Sequence, residues 1–121
     1  MKAFIAAFCA ALMCASCANA QVPSDDEWRQ AETLCNNADN CSALEKTVAK
    51  FLAASSDPDD IKSVFWAMCQ DAERHDPEAC AAGQYVYGRL RAQTKSQQVK
   101  LFASDMISHM ETVKVLWQHV G

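Results

Sequence analysis

Cys69, His75 and Cys80 stand within the stretch SVFWAMCQDAERHDPEAC, residues 63–80. Two thiols and an imidazole so close together could bind zinc, run thiol–disulfide exchange or form a structural bridge, and the spacing decides among these. A structural zinc site uses four ligands, commonly as two close pairs such as C-x2–4-C. Cys35, Cys41, Cys69 and Cys80 are separated by five, 27 and ten residues, so none forms such a pair. A redox dithiol needs a thiol of lowered pKa with a near partner, typically C-x-x-C at a helix N-terminus. Cys80 instead follows Asp76 and Glu78, whose charges oppose a thiolate. The bridge uses all four cysteines, and it leaves His75 as a favourable charge, when protonated, near a helix C-terminus.

Two other groupings could do chemistry. Met106, His109 and Met110 lie at i, i+3 and i+4, a soft donor set suited to Cu(I), although both methionines also fall on an apolar helical stripe. Asn37-Ala38-Asp39-Asn40 starts like a calcium loop but has Ser42 where the turn needs Gly and Val48 where it needs Glu. No G-x-S-x-G, Walker loop, H-E-x-x-H or dinucleotide glycine pattern occurs. The expectation is therefore a protein that is not an enzyme and holds no cofactor.

These residues sit in a chain that opens MKAFIAAFCAALMCASCANAQ. A Lys near the start, an apolar run from Ala3 to Leu12 and a small-x-small Ala18-Asn19-Ala20 form the pattern of a secretory signal peptide over residues 1–20. The apolar run is too short for a membrane anchor, and nothing downstream approaches the ~18 consecutive apolar residues of a span. Cleavage near Ala20 implies a periplasmic or secreted product; in a secreted eukaryotic protein Asn40-Cys41-Ser42 would be a formal glycosylation sequon. The alternative is a lipoprotein whose first residue is Cys17, after Ala15-Ser16. Cys14-Ala15-Ser16-Cys17 has the C-x-x-C spacing, yet it belongs to this leader.

Residues 21–121 then form one domain, long enough to bury roughly two-thirds of its unfolded surface. Residues 21–80 hold 13 acidic and 5 basic side chains, and residues 81–121 hold 2 and 5. An acidic balance of this kind gives no basis for nucleic-acid binding, which needs a surplus of Lys and Arg. Arg89, Arg91, Lys95 and Lys100 read as a solvated helix face.

Helix start signals recur along the domain. Ser24-Asp25-Asp26-Glu27 and Ser42-Ala43-Leu44-Glu45 have the form of capping boxes, Asp57-Pro58 and Asp76-Pro77 place an acceptor before a first-turn Pro, and Thr94-Lys95-Ser96-Gln97 is a weaker box. The apolar spacing between them has the helical period: Trp28, Ala31 and Cys35; Leu44, Val48, Phe51 and Leu52; Ile61, Val64, Phe65, Met68 and Ala72; Val99, Phe102, Met106, Met110, Val113, Trp117 and Val120. The fold expected is all-α, a compact bundle of about five helices stapled by two disulfides. In the fourth helix, Gly83 and Gly88 each cost ~1 kcal/mol against Ala. Either they admit a neighbouring helix or Gly88 ends the helix. Residues 76–88, DPEACAAGQYVYG, resemble cysteine-containing helix pairs of the tetratricopeptide kind, with Gly83 one residue out of register and no second copy, so the resemblance implies no function.

Antiparallel helices bring residues equidistant from a turn side by side, which favours Cys35–Cys41 and Cys69–Cys80. The nested pairing, Cys35–Cys80 with Cys41–Cys69, is the alternative. Trp66 falls with Lys62, Gln70 and Glu73 on a polar face, while Leu101 and Val115 lie off the main stripe of the last helix. Large apolar side chains in such places mark partner contacts or burial by a neighbouring helix. The expected function is that of an exported helical module that binds another protein, as an inhibitor, an immunity-type protein or a small chaperone does. The rival expectations are a copper-binding protein and a small-ligand carrier.

Overall fold

The computed structural model describes residues 22–55, 61, 63–71, 73 and 76–120, with the side chain of Val120 left out. The expected leader with its expected cleavage site and Cys17, the Asp57-Pro58 start, Lys62, Ala72 and His75 lie outside the described residues. Five helices follow in order: α1 (Asp25–Asn37), α2 (Ser42–Ala54), α3 (Val64–Gln70), α4 (Pro77–Gln93) and α5 (Gln97–Val120). No strand occurs among the described residues. No helix there is long and apolar enough to cross a membrane.

The caps explain where these helices begin. Ser24 Oγ accepts from the Glu27 amide at 3.2 Å and Glu27 Oε1 accepts from the Ser24 amide at 3.1 Å, a complete capping box. Asp76 accepts from the Glu78 amide at 3.0 Å, with Pro77 in the first turn of α4. Two expected caps are corrected. Ser42 is already helical: Cys41 occupies the N-cap, Asn40 Oδ1 takes both the Ser42 amide and hydroxyl, and Glu45 accepts from Thr94 Oγ1 at 2.8 Å. The α5 cap is likewise Ser96, whose Oγ accepts from the Val99 amide at 3.3 Å, while Thr94 ends α4. In both cases the side chain is hydrogen-bonded to another acceptor, Asn40 for Ser42 and Glu45 for Thr94.

The core runs along α1, α2, α4 and α5. Trp28, Phe51 and Phe102 form an aromatic cluster with centroids 6.0, 6.2 and 5.7 Å apart, and Tyr87 joins it 6.2 Å from Phe102. Leu44, Val48, Val86, Leu90, Met106 and Met110 are among the residues packed with it. The helix α4 continues through Gly88, and Thr94–Ser96 turn the chain into α5. Gly83 is where α5 comes closest. A Cβ there would lie 2.5 Å from Met110 Sδ and 3.1 Å from Phe65 Cβ, whereas one on Gly88 would meet nothing within 4 Å. Only the first glycine admits a neighbour.

The bridges are Cys35–Cys41 and Cys69–Cys80, with Cα separations of 4.2 and 4.7 Å. The first closes the loop between α1 and α2, where Asp39 takes a left-handed conformation (φ 54°). Arg89 and Gln93 of α4 clamp Asp39, and Gln93 Oε1 also accepts from the Cys41 amide at 3.2 Å. The second bridge holds α3 on α4. This helix is shorter than its apolar spacing suggested: Ile61 is outside it, and Ser63 caps it by accepting from the Trp66 amide at 3.2 Å.

Candidate functional site

Helix α1 carries one charged side chain into the interior. Glu32, 1% exposed, sits one residue beyond Ala31 on the face that also buries Trp28 and Cys35. Its Oε1 accepts from the Phe65 amide at 3.1 Å, at the start of α3. Its Oε2 accepts from the hydroxyls of Ser63 and of Tyr87 on α4. The two hydroxyl oxygens are 2.9 Å apart, and both residues are fully buried. One carboxyl group therefore joins α1, the cap of α3 and the middle of α4.

Electrostatics follow from this burial. Removal from water pushes the Glu32 carboxyl above the ordinary carboxylate range, because it disfavours the charged form; the Ser63, Tyr87 and Phe65 donors oppose that without cancelling it. The Tyr87 phenol is held well above its usual value by burial first and by the adjoining carboxylate second. Ser63 beside Glu32 has the composition of a nucleophile–base pair. Its Oγ is nevertheless committed to the carboxylate and to the cap of α3, and it is sealed from solvent. As placed, the cluster holds helices together.

The residues singled out by spacing fall elsewhere. Trp66 is half-buried and packs against the edge of the core, its ring centroid 5.4 Å from that of His109 on α5. A neighbouring helix thus covers part of the indole. Met106 and Met110 are buried in the core, with the Met110 sulfur against Gly83, while His109 is exposed beside Trp66. Among the described residues no group of three or more His, Cys, Asp or Glu could hold a metal ion.

Leu101 and Val115 are exposed, at 58% and 40%, and Leu116 beside Val115 is 55% exposed. Leu101 borders a surface groove of about 320 Å3 that Leu52, Gln98, Phe102 and Asp105 also line, between α2 and α5. A second groove of about 400 Å3 lies between α1 and α3, lined by Asp25, Arg29, Ile61, Val64, Ala67 and Met68.

Glu32, Ser63 and Tyr87 were not legible as a group. A glutamate in a helix with Asp25, Asp26 and Glu27 at its start looks like one more solvated acid, and its partners lie 31 and 55 positions away. The one local signal is its place directly after Ala31 and one turn beyond Trp28, on the apolar side of α1. No family model, curated protein or solved structure matches the chain.

Proposed function

We propose that this protein is a non-enzymatic helical module of an oxidising compartment that acts by binding another protein through the α2–α5 face. The observation that carries the reading is Leu101, 58% exposed at the rim of a groove lined by Leu52 and the core residue Phe102. An apolar side chain from a partner would bury Leu101 and the groove wall together, at ~25 cal/mol per Å2 of apolar surface removed from water. The two bridges support an oxidising location, as does the leader-like start of the chain.

The test is site-specific photocrosslinking of the protein in the cells that make it. A crosslinking side chain at position 101 should give a discrete adduct with a second protein, and one at the exposed Ala82 of α4 should give none. Leu101→Asp, placed on the surface, should leave helicity and melting temperature unchanged while abolishing the interaction with the identified partner. The absence of any adduct at 101 would remove the reading.

A further inference from the structure

Helix α3 has seven residues, a length of about 10 Å at which an isolated helix is unstable in water. Its two ends are held by different chemistry. At the C-terminal end the Cys69–Cys80 bridge ties it covalently to α4, and the Cys69 carbonyl accepts from Trp117 Nε1 of α5 at 2.7 Å. At the N-terminal end the cap and first turn hang on the Glu32 carboxyl, through the Ser63 hydroxyl and the Phe65 amide. Between the two, Val64, Phe65 and Trp66 are only partly buried.

We propose that α3 is a flap that pivots at the Cys69–Cys80 bridge and unlatches at Ser63 and Phe65 as Glu32 ionises. In the closed state the carboxyl group keeps its proton to a higher pH than it would in water, because burial disfavours its charge. In the open state water solvates it, and it ionises in the ordinary range. The closed state therefore holds more protons between those two values, and rising pH favours opening across that window. The latch is at full strength below the ordinary carboxylate value. It is weakest once pH has risen through the raised one.

Among the described residues, the groups that face Glu32 are these. From α4 the facing group is Tyr87, whose phenol stays protonated. From the α3 side it meets the Ser63 hydroxyl and the Phe65 amide, and α3 carries no charged side chain. On α1, Arg29 stands nearly one turn earlier, exposed and paired with Asp26 at 3.4 Å. From α2, Lys50 is engaged with Glu27 and Glu45 with Thr94. Among the described residues no charged side chain touches the carboxyl group. Opening would lift Phe65 from Gly83 and Trp66 from His109, which bares the seam where α4 meets α5.

Residue-resolved amide hydrogen exchange on the full oxidised chain, corrected for intrinsic rates, tests this. Protection at Phe65, Trp66 and Ala67 should fall about tenfold per pH unit across the window, as one linked proton requires. Protection through the middle of α4 should hold constant. Glu32→Gln keeps the side-chain volume and removes the titration, so protection of α3 should become independent of pH. Should that variant fail to fold, Tyr87→Phe removes one donor from the carboxylate and should carry the fall to higher pH. A pH-independent α3 in the unaltered protein overturns the proposal. So does a fall that α4 shares, a pH dependence that survives Glu32→Gln, or an unmoved window in Tyr87→Phe.

Discussion

The α4–α5 hairpin and α3 solve the same problem by opposite means. The hairpin joins helices of 17 and 24 residues through a seam of Val86, Leu90, Phe102, Met106 and Met110, brought close at Gly83. No covalent link joins its two arms among the described residues. With only seven residues, α3 has too little apolar surface to hold itself, and it depends on a disulfide at one end and a buried carboxyl group at the other. Long helices are secured by area, whereas a short one needs directional or covalent anchors. The two kinds of attachment should fail differently.

The sharpest way to separate them is to remove one bridge at a time. Replacing Cys69 and Cys80 together by Ala should cost about 3 kcal/mol by loop entropy and selectively lower exchange protection in α3. Replacing Cys35 and Cys41 by Ala opens a shorter loop between two 13-residue helices and should cost about 2 kcal/mol, with no selective loss in either helix. Urea unfolding with residue-resolved exchange reads both. Equal loss of protection in α3 from either variant would erase the distinction.

The glycines of α4 probe the seam. Gly83→Ala and Gly88→Ala gain the same ~1 kcal/mol of helix propensity, so their difference isolates the contact with Met110 and Phe65. Gly88→Ala should stabilise the protein by roughly that amount. Gly83→Ala should fall below it by ~1–3 kcal/mol, the usual cost of overpacking, measured from paired denaturation curves. Two equally stabilised variants would mean that the hairpin does not depend on the close approach.

The smallest effect belongs to the surface. Lys50 Nζ lies 2.8 Å from Glu27 Oε2 and, as the chief cause, holds the Glu27 carboxyl below its ordinary range. Both side chains are largely solvated, so Lys50→Ala should cost only ~0.2–1 kcal/mol, and less in high salt. A larger loss would give the α1–α2 pair a polar anchor comparable to that of α3.

The same contrast explains what could be read from residues alone. Period and caps located the long helices because Trp28, Leu44, Val86 and Phe102 recur with the geometry that buries them. The bridge pairing followed from the symmetry of two turns. The boxes at Ser42 and Thr94 differ because the Ser42 hydroxyl turns back to Asn40 and the box's Glu45 instead takes Thr94, 49 positions away. The apolar spacing makes α3 longer than it is, since Ile61 continues the pattern while Ser63 caps the helix. The Glu32 cluster was invisible for a deeper reason. Hydrogen bonds between positions 32, 63 and 87 leave no periodic trace.

Both bridges join cysteines that follow one another in the described chain. If the chain is delivered N-terminus first into an oxidising space, Cys41 is the next of these thiols to meet Cys35. Once that pair has closed, Cys80 is the next available to Cys69. Oxidation in order of emergence then yields the native set directly, with no wrongly paired intermediate to reshuffle. On that route a plain oxidant would give both bridges without the help of a disulfide isomerase.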